Sequence, residues 1–186
     1  MAGLRNAGLA FLLCLASLAV PVFAQAPKAE KPTAPPATPA EPSAGPYVII
    51  EMDRGMLTLE LFPDVAPKTI ARFLNLVQKG FYNGLTFYRV VPRFLIQGGD
   101  PAGDGTGGSG KTIPAEFNAK KHLLGTVGMA HLTRDPDSAD SQFYICLEPQ
   151  PFLDGKYTVF GQVVEGLDLL LKIQEGDVMR KVSLKP

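Results

Sequence analysis

The chain has 186 residues, 18 basic and 18 acidic side chains, 46% apolar residues, two cysteines and no tryptophan. A net charge of zero with no basic stripe excludes the electrostatic footprint that nucleic-acid binding needs. With Cys14 in the N-terminal segment and Cys146 in the body, a disulfide-stapled scaffold is excluded too, so stability must come from an apolar core.

Residues 1–24 read as a secretory signal. Arg5 supplies the positive start, Ala7 to Val20 is almost wholly apolar, and Val22-Phe23-Ala24 offers small residues before a cut at Gln25. Retention as a membrane anchor is the alternative, but the apolar run is short for a span and Pro21 interrupts its end. Cys14 does not make a lipoprotein site, because Leu13 stands where a small residue is required. Losing this segment removes one cation and no acid, so the acids then exceed the bases by one. Residues 25–46 form a linker: seven of its 22 residues are proline, among Ala, Lys, Glu and Thr. Such a segment cannot bury enough apolar surface to order itself, and it serves as an extended spacer.

The body, residues 47–186, begins with two strand patterns, 47–52 and 56–61, joined by a turn at Asp53-Arg54-Gly55. Pro67 opens a helix in which Ile70, Phe73, Leu74 and Val77 recur at helical spacing, and Gly80 ends it. Short strands follow over 86–91, 94–97, 126–129, 142–146 and 159–164. A second helix is expected over 167–174 and a last strand near 181–184. Many short strands, Gly and Pro turns and only two helices predict an antiparallel barrel with the helices plugging its ends. Cys146 falls in an apolar strand and reads as buried and inert.

Gly105 to Thr112 satisfies the phosphate-loop pattern G-x-x-x-x-G-K-[ST]. Its context does not. No strand leads into it, and Pro114 stands where a helix should begin to present amides to phosphate. The stretch is expected to be a turn-rich surface loop with no nucleotide.

The most informative segment is Phe87-Tyr-Arg-Val-Val-Pro-Arg-Phe-Leu-Ile-Gln-Gly-Gly-Asp100. A side-chain period of two puts Arg89 and Val91 on one strand face and Tyr88 and Val90 on the other. An Arg among strand apolars needs a partner or a task. Downstream come Ser141-Gln142-Phe143, then Phe152-Leu153-Asp154-Gly155-Lys156 before Val159-Phe160-Gly161. In this order the set resembles the cyclophilin family of peptidyl-prolyl cis-trans isomerases over roughly Tyr47 to Leu184. The resemblance implies a mainly β fold: a closed antiparallel eight-stranded barrel capped by two α-helices. It also implies acceleration of rotation about Xaa-Pro bonds.

The same resemblance implies Arg89 as the main catalytic residue, with Gln97 orienting it and touching the substrate backbone. It gives Phe94, Leu95, Met129, Tyr144 and Leu153 as the lining of a proline pocket. Gln142, Ala130 and His131 would meet substrate backbone, and Phe152 and Tyr157 complete the substrate-facing set. Taken singly, Phe94, Leu95, Met129 and Leu153 read more readily as plain core, and His122 and His131 as satisfied or loop histidines. Two histidines without a cysteine or carboxylate cluster do not make a metal site, and no cofactor is expected. Three residues depart from the family pattern: Phe152 replaces Trp, Tyr157 a frequent His, and His131 the usual Asn. Loss of the indole donor predicts weak cyclosporin binding. Phe152 and Tyr157 fit a bacterial pattern, which together with the signal implies a periplasmic or secreted enzyme acting on proline-containing polypeptides; nothing in the sequence points to oligomerisation, and monomer is the default. A non-catalytic peptide-binding module on the same barrel is the alternative. A lipocalin-type ligand barrel would need a hollow interior, which large inward residues fill.

Overall fold

The computed structural model describes residues 45–186. The signal expected over 1–24, and all but the last two residues of the linker expected over 25–46, lie outside the described residues. Eight strands form one antiparallel sheet: β1 Tyr47–Met52, β2 Gly55–Leu61, β3 Phe87–Val91, β4 Leu95–Gly98, β5 Thr126–Met129, β6 Phe143–Cys146, β7 Val159–Glu165 and β8 Met179–Leu184. Their spatial order is β3-β4-β6-β5-β7-β2-β1-β8. Two helices accompany them, α1 Pro67–Gln78 and the single turn α2 Leu167–Leu170.

Every expected element is present, and the differences lie at the ends. Helix α2 stops four residues early because the chain must turn back into β8. Asp177 accepts from the Gln174 amide at 2.9 Å, and Gly176 adopts a positive φ of 90°, which fixes that turn. Helix α1 buries Ile70, Phe73, Leu76 and Val77 on one face. It ends in a Schellman arrangement: Gly80 sits at φ 68°, its amide donates to the Val77 carbonyl, and the Phe81 amide reaches the Leu76 carbonyl. Its start has no side-chain cap from Ala66. Instead Glu116 accepts from the amides of Lys68 and Thr69, at 3.0 and 2.8 Å.

The sheet is a curled half-barrel and not the ladder-closed barrel expected. Its edge strands β3 and β8 share no ladder; Thr86 and Val178, just before each, form one isolated bridge. A side chain occupies the place of a strand partner on β8, where the Asn83 Oδ1 accepts from the Val182 amide at 2.8 Å. The curl wraps around Phe73, whose ring lies 5.1 Å from Tyr82, 5.7 Å from Phe143 and 5.1 Å from Phe160. Ile50, Leu57, Leu59, Leu61, Phe87, Ile96, Met129 and Ile145 are among the large side chains that fill the rest of the interior, which therefore offers no lipocalin-like hollow. No helix among the described residues is long and apolar enough to cross a membrane.

Candidate active site

Cross-strand partners point to the same face of a sheet, and successive rungs alternate. The rung Ile96–Ile145–Val127 faces inward, and all three residues are buried in the main core. The next rung faces outward and holds Arg89, Gln97, Tyr144 and Gly128 in line across β3, β4, β6 and β5. One row of the sheet thus carries the proposed donor, its orienting amide and an aromatic wall.

The strict alternation expected along β3 is broken by a bulge between Phe87 and Arg89. Tyr88 is the extra residue, and the bulge re-aims it. Its hydroxyl reaches the Gln142 Oε1 at 2.6 Å, while Val90 packs against the main core. Tyr88 and Val90 therefore do not share a face. Partial burial raises the Tyr88 pKa, so the phenol stays a donor.

The polar groups form a directed chain. Arg89 Nη1 donates to Gln97 Oε1 at 3.1 Å, and Gln97 Nε2 donates to Gln142 Oε1 at 3.0 Å. Gln142 Nε2 then donates to the carbonyls of Gly105 and Gly107, at 3.1 and 2.8 Å. With Tyr88 as second donor, every hydrogen-bonding position of the Gln142 amide is filled internally. Gln142 therefore joins the strands to the glycine-rich loop through its side chain. Arg89 is exposed and makes one side-chain hydrogen bond among the described residues, leaving the rest of its fork available.

Beside this chain lies a small outward apolar cluster. Leu95, Tyr144, Cys146 and Leu153 are its buried members, with Phe94, Ala130 and Tyr157 packed against them. The Arg89 guanidinium lies 5.9 Å from the centroid of the Phe94 ring. Phe152 stacks on Phe94 at 5.7 Å and is 55% exposed. Met129 is not with them: it pairs with Phe143 on an inward rung and is buried in the main core. Burial raises the pKa of Tyr144 and pushes the Cys146 thiol up to about 12. His131 holds the rim. Its Nδ1 lies 2.9 Å from the Leu132 carbonyl, its Nε2 lies 3.0 Å from the Lys156 carbonyl, and its ring stacks on Tyr157 at 4.3 Å.

A cavity of about 410 Å³ adjoins the cluster, bounded by Tyr88, Gln97 and Gln142, by the loop Gly105–Gly108, and by Ala130 and His131. The loop's amides explain why the phosphate-loop pattern misleads. The carboxylate of Asp100, itself 1% exposed, accepts from the amides of Ala102, Asp104 and Gly105. Asp140 accepts from Gly110 and Lys111. Donors that a phosphate would need are already held by the chain's own anions. A Cβ on Gly107 would sit 2.1 Å from Asp100 Oδ1, so this close approach requires glycine.

Sequence reasoning did not assign Tyr88, Asp100 or Asp140. Asp100 was visible as the last residue of the Gln-Gly-Gly-Asp run, but its three amide partners depend on the loop's path. Among the described residues no group of three or more His, Cys, Asp or Glu is placed to hold a metal ion.

Comparison with known proteins agrees with this geometry. The family model for cyclophilin type peptidyl-prolyl cis-trans isomerases matches residues 47–186. A peptidyl-prolyl cis-trans isomerase of Synechococcus elongatus is 48% identical over 138 residues, covering 73% of this chain and 94% of the relative. Peptidyl-prolyl cis-trans isomerase B of Bacillus subtilis is 46% identical over 141 residues, covering 75% and 96%. The crystal structure of a Cryptosporidium parvum cyclophilin type isomerase, determined in the presence of the dipeptide Ala-Pro, superposes with a TM-score of 0.71 at 29% identity, over 75% of this chain and 99% of that one. The chain belongs to the cyclophilin-type peptidyl-prolyl cis-trans isomerase family.

Proposed function

We propose that the chain accelerates cis-trans rotation about Xaa-Pro bonds of exported polypeptides, with Arg89 as the catalytic donor and Gln97 as its positioning partner. Peptidyl-prolyl isomerisation itself follows from membership of the family. The barrier to be lowered is about 20 kcal/mol and arises from amide resonance. Twisting the bond removes that resonance and leaves a lone pair on the proline nitrogen. A rigid cation that donates to this nitrogen only in the twisted state lowers the barrier without covalent chemistry.

The observation that carries the reading is the outward rung, with Arg89 beside the apolar cluster and braced by one hydrogen bond to Gln97. The proline ring would rest against Phe94, Leu95, Tyr144 and Leu153, with Phe152 and Tyr157 at the rim. Met129 would support this wall from the inner layer. Ala130 and His131 would meet the substrate backbone through their main chain. The Thr86–Val178 bridge supports reading the half-barrel as closed in function. Residues 1–24 support a periplasmic or secreted location, and Phe152 supports weak cyclosporin binding. The reading takes the active unit as a monomer, with 25–46 as its spacer.

The test is NMR exchange of an Ala-Pro peptide with the full chain. Arg89→Ala should slow exchange about 100-fold, the cost of one preorganised donor, while peptide affinity changes far less. Exchange as fast as wild type would remove Arg89 from the mechanism.

A further inference from the structure

We propose that His122 and Asp154 are positioning residues that set the width of the proline pocket, acting through Tyr144 on one wall and Leu153 on the other. The proposal rests on the reading above that these two side chains bound the proline ring.

Neither residue belongs to the polar chain of Arg89, Gln97 and Gln142. His122 has a side chain with no solvent exposure. Its Nδ1 lies 3.0 Å from Asp154 Oδ1, and the same oxygen accepts from the His122 backbone amide at 2.9 Å. A carboxylate only accepts, so Nδ1 carries the proton. In the neutral ring Nε2 is then an acceptor, and the Tyr144 hydroxyl donates to it at 2.8 Å. Lys121 Nζ holds the other Asp154 oxygen at 3.1 Å. The His122 carbonyl accepts from the Gln150 amide at 2.8 Å, directly before the 3₁₀ turn Pro151–Leu153. The histidine is thus tied at its amide, its carbonyl and both ring nitrogens.

This chain connects two parts of the pocket that the sheet does not connect. Tyr144 belongs to β6, whereas Leu153 is the last residue of the 3₁₀ turn and Asp154 is its neighbour in sequence. Both side chains are buried members of the same outward cluster. The Tyr144 ring has one resting place. It crosses Gly128 on β5, where a Cβ would lie 2.3 Å from the ring's Cζ and hydroxyl oxygen. Tyr157 meets it edge-on at 5.9 Å. A buried phenol with no acceptor would be costly. His122 supplies that acceptor at the Gly128 end of the ring, so a tyrosine serves as an apolar wall.

A wall of fixed position contributes to binding of cis, trans and twisted proline alike. Its loss weakens affinity and spares the rate of the bound step, the reverse of the effect expected for Arg89. NMR titration of the full chain with an Ala-Pro peptide separates the two quantities. Tyr144→Phe and Asp154→Ala should each weaken peptide affinity about fivefold, with on-enzyme exchange nearly unchanged. Asp154→Asn, which keeps an oxygen facing Nδ1, should recover most of the loss. Nitrogen-15 shifts of His122 should show the Nδ1–H tautomer in the wild type and a displaced Nε2 resonance in Tyr144→Phe.

Wild-type affinity in both Tyr144→Phe and Asp154→Ala would overturn the proposal. Should Tyr144→Phe fail to fold, Asp154→Ala decides alone, because its carboxylate lies at the partly exposed end of the chain. Leu153→Ala and Tyr144→Leu distinguish the underlying reading: unchanged affinity in both would sink the pocket assignment and this proposal with it. Weakened affinity in those two, with none in Tyr144→Phe or Asp154→Ala, would overturn the positioning role alone.

Discussion

Arg89 and Gln97 stand directly opposite one another on β3 and β4, and the glutamine oxygen accepts from the guanidinium at 3.1 Å. On the reading proposed here, the main effect of Gln97 on the reaction is to hold Arg89. Gln97→Ala should therefore slow exchange about tenfold, less than Arg89→Ala does. The double variant should be no slower than Arg89→Ala alone, since the two losses are one interaction counted twice. Additive losses, measured by peptide exchange, would mean that Gln97 has an independent contact with substrate.

Phe152 exposes more than half its surface and stacks on Phe94 at the rim of the apolar cluster. Its ring offers stacking area but no donor. Phe152→Trp adds an indole N–H at an open position. Cyclosporin affinity, read by calorimetry, should tighten about tenfold on gaining a single hydrogen bond. Sub-micromolar binding by the wild type would contradict the assignment of Phe152 as the limiting residue.

Asp154 is held at about 2, chiefly because the His122 backbone amide donates to its charged form, with the His122 ring and Lys121 adding to the effect. A depressed carboxylate stabilises the fold above its ordinary value near 3.8 and loses that contribution as pH falls toward the folded value. Acid unfolding followed by circular dichroism should steepen between about pH 4 and pH 2. In Asp154→Asn this part of the slope should vanish.

Cys146 has no solvent exposure, and burial holds its thiol near 12, with the Asp154 charge adding to the rise. Thiolate is the reactive form, so the folded chain should leave Cys146 unmodified by iodoacetamide at pH 8. Mass spectrometry of the peptide containing Cys146 should show full modification once denaturant is present. Rapid labelling of the native chain would mean that the outward cluster opens easily.

Local signals made the body of the fold legible. The 126–129 strand and the Pro67 start of α1 appear where apolar pattern and proline chemistry put them. Residues within one segment, such as Arg89, Phe94 and Gln97, could be grouped because one hairpin brings them together. The bulge at Tyr88 was hidden, because an inserted residue leaves the hydrophobic pattern of β3 almost intact. Met129 looked like a pocket residue beside Ala130, yet adjacent strand positions face opposite sides, and only the pairing with Phe143 shows which side Met129 takes. The Gly128–Tyr144 crossing joins two strands and the His122–Asp154 contact two loops, and no spacing in the sequence encodes either. Closure of the sheet was equally out of reach, since it depends on how the segments leading into β3 and β8 meet, where backbone bonds from Met179 to Leu85 and from Phe87 to Asp177 flank a single isolated bridge.

Glu116 grips the first turn of α1 from 47 residues downstream, through the Lys68 and Thr69 amides. Opening the segment that leaves the glycine-rich loop would strip the helix of its acceptor, and fraying the helix would strand a carboxylate. The two segments are therefore thermodynamically one unit. Hydrogen exchange at Lys68 and Thr69 will keep time with the loop that borders the cavity, so ligands that quiet the loop will also slow exchange at the head of the helix.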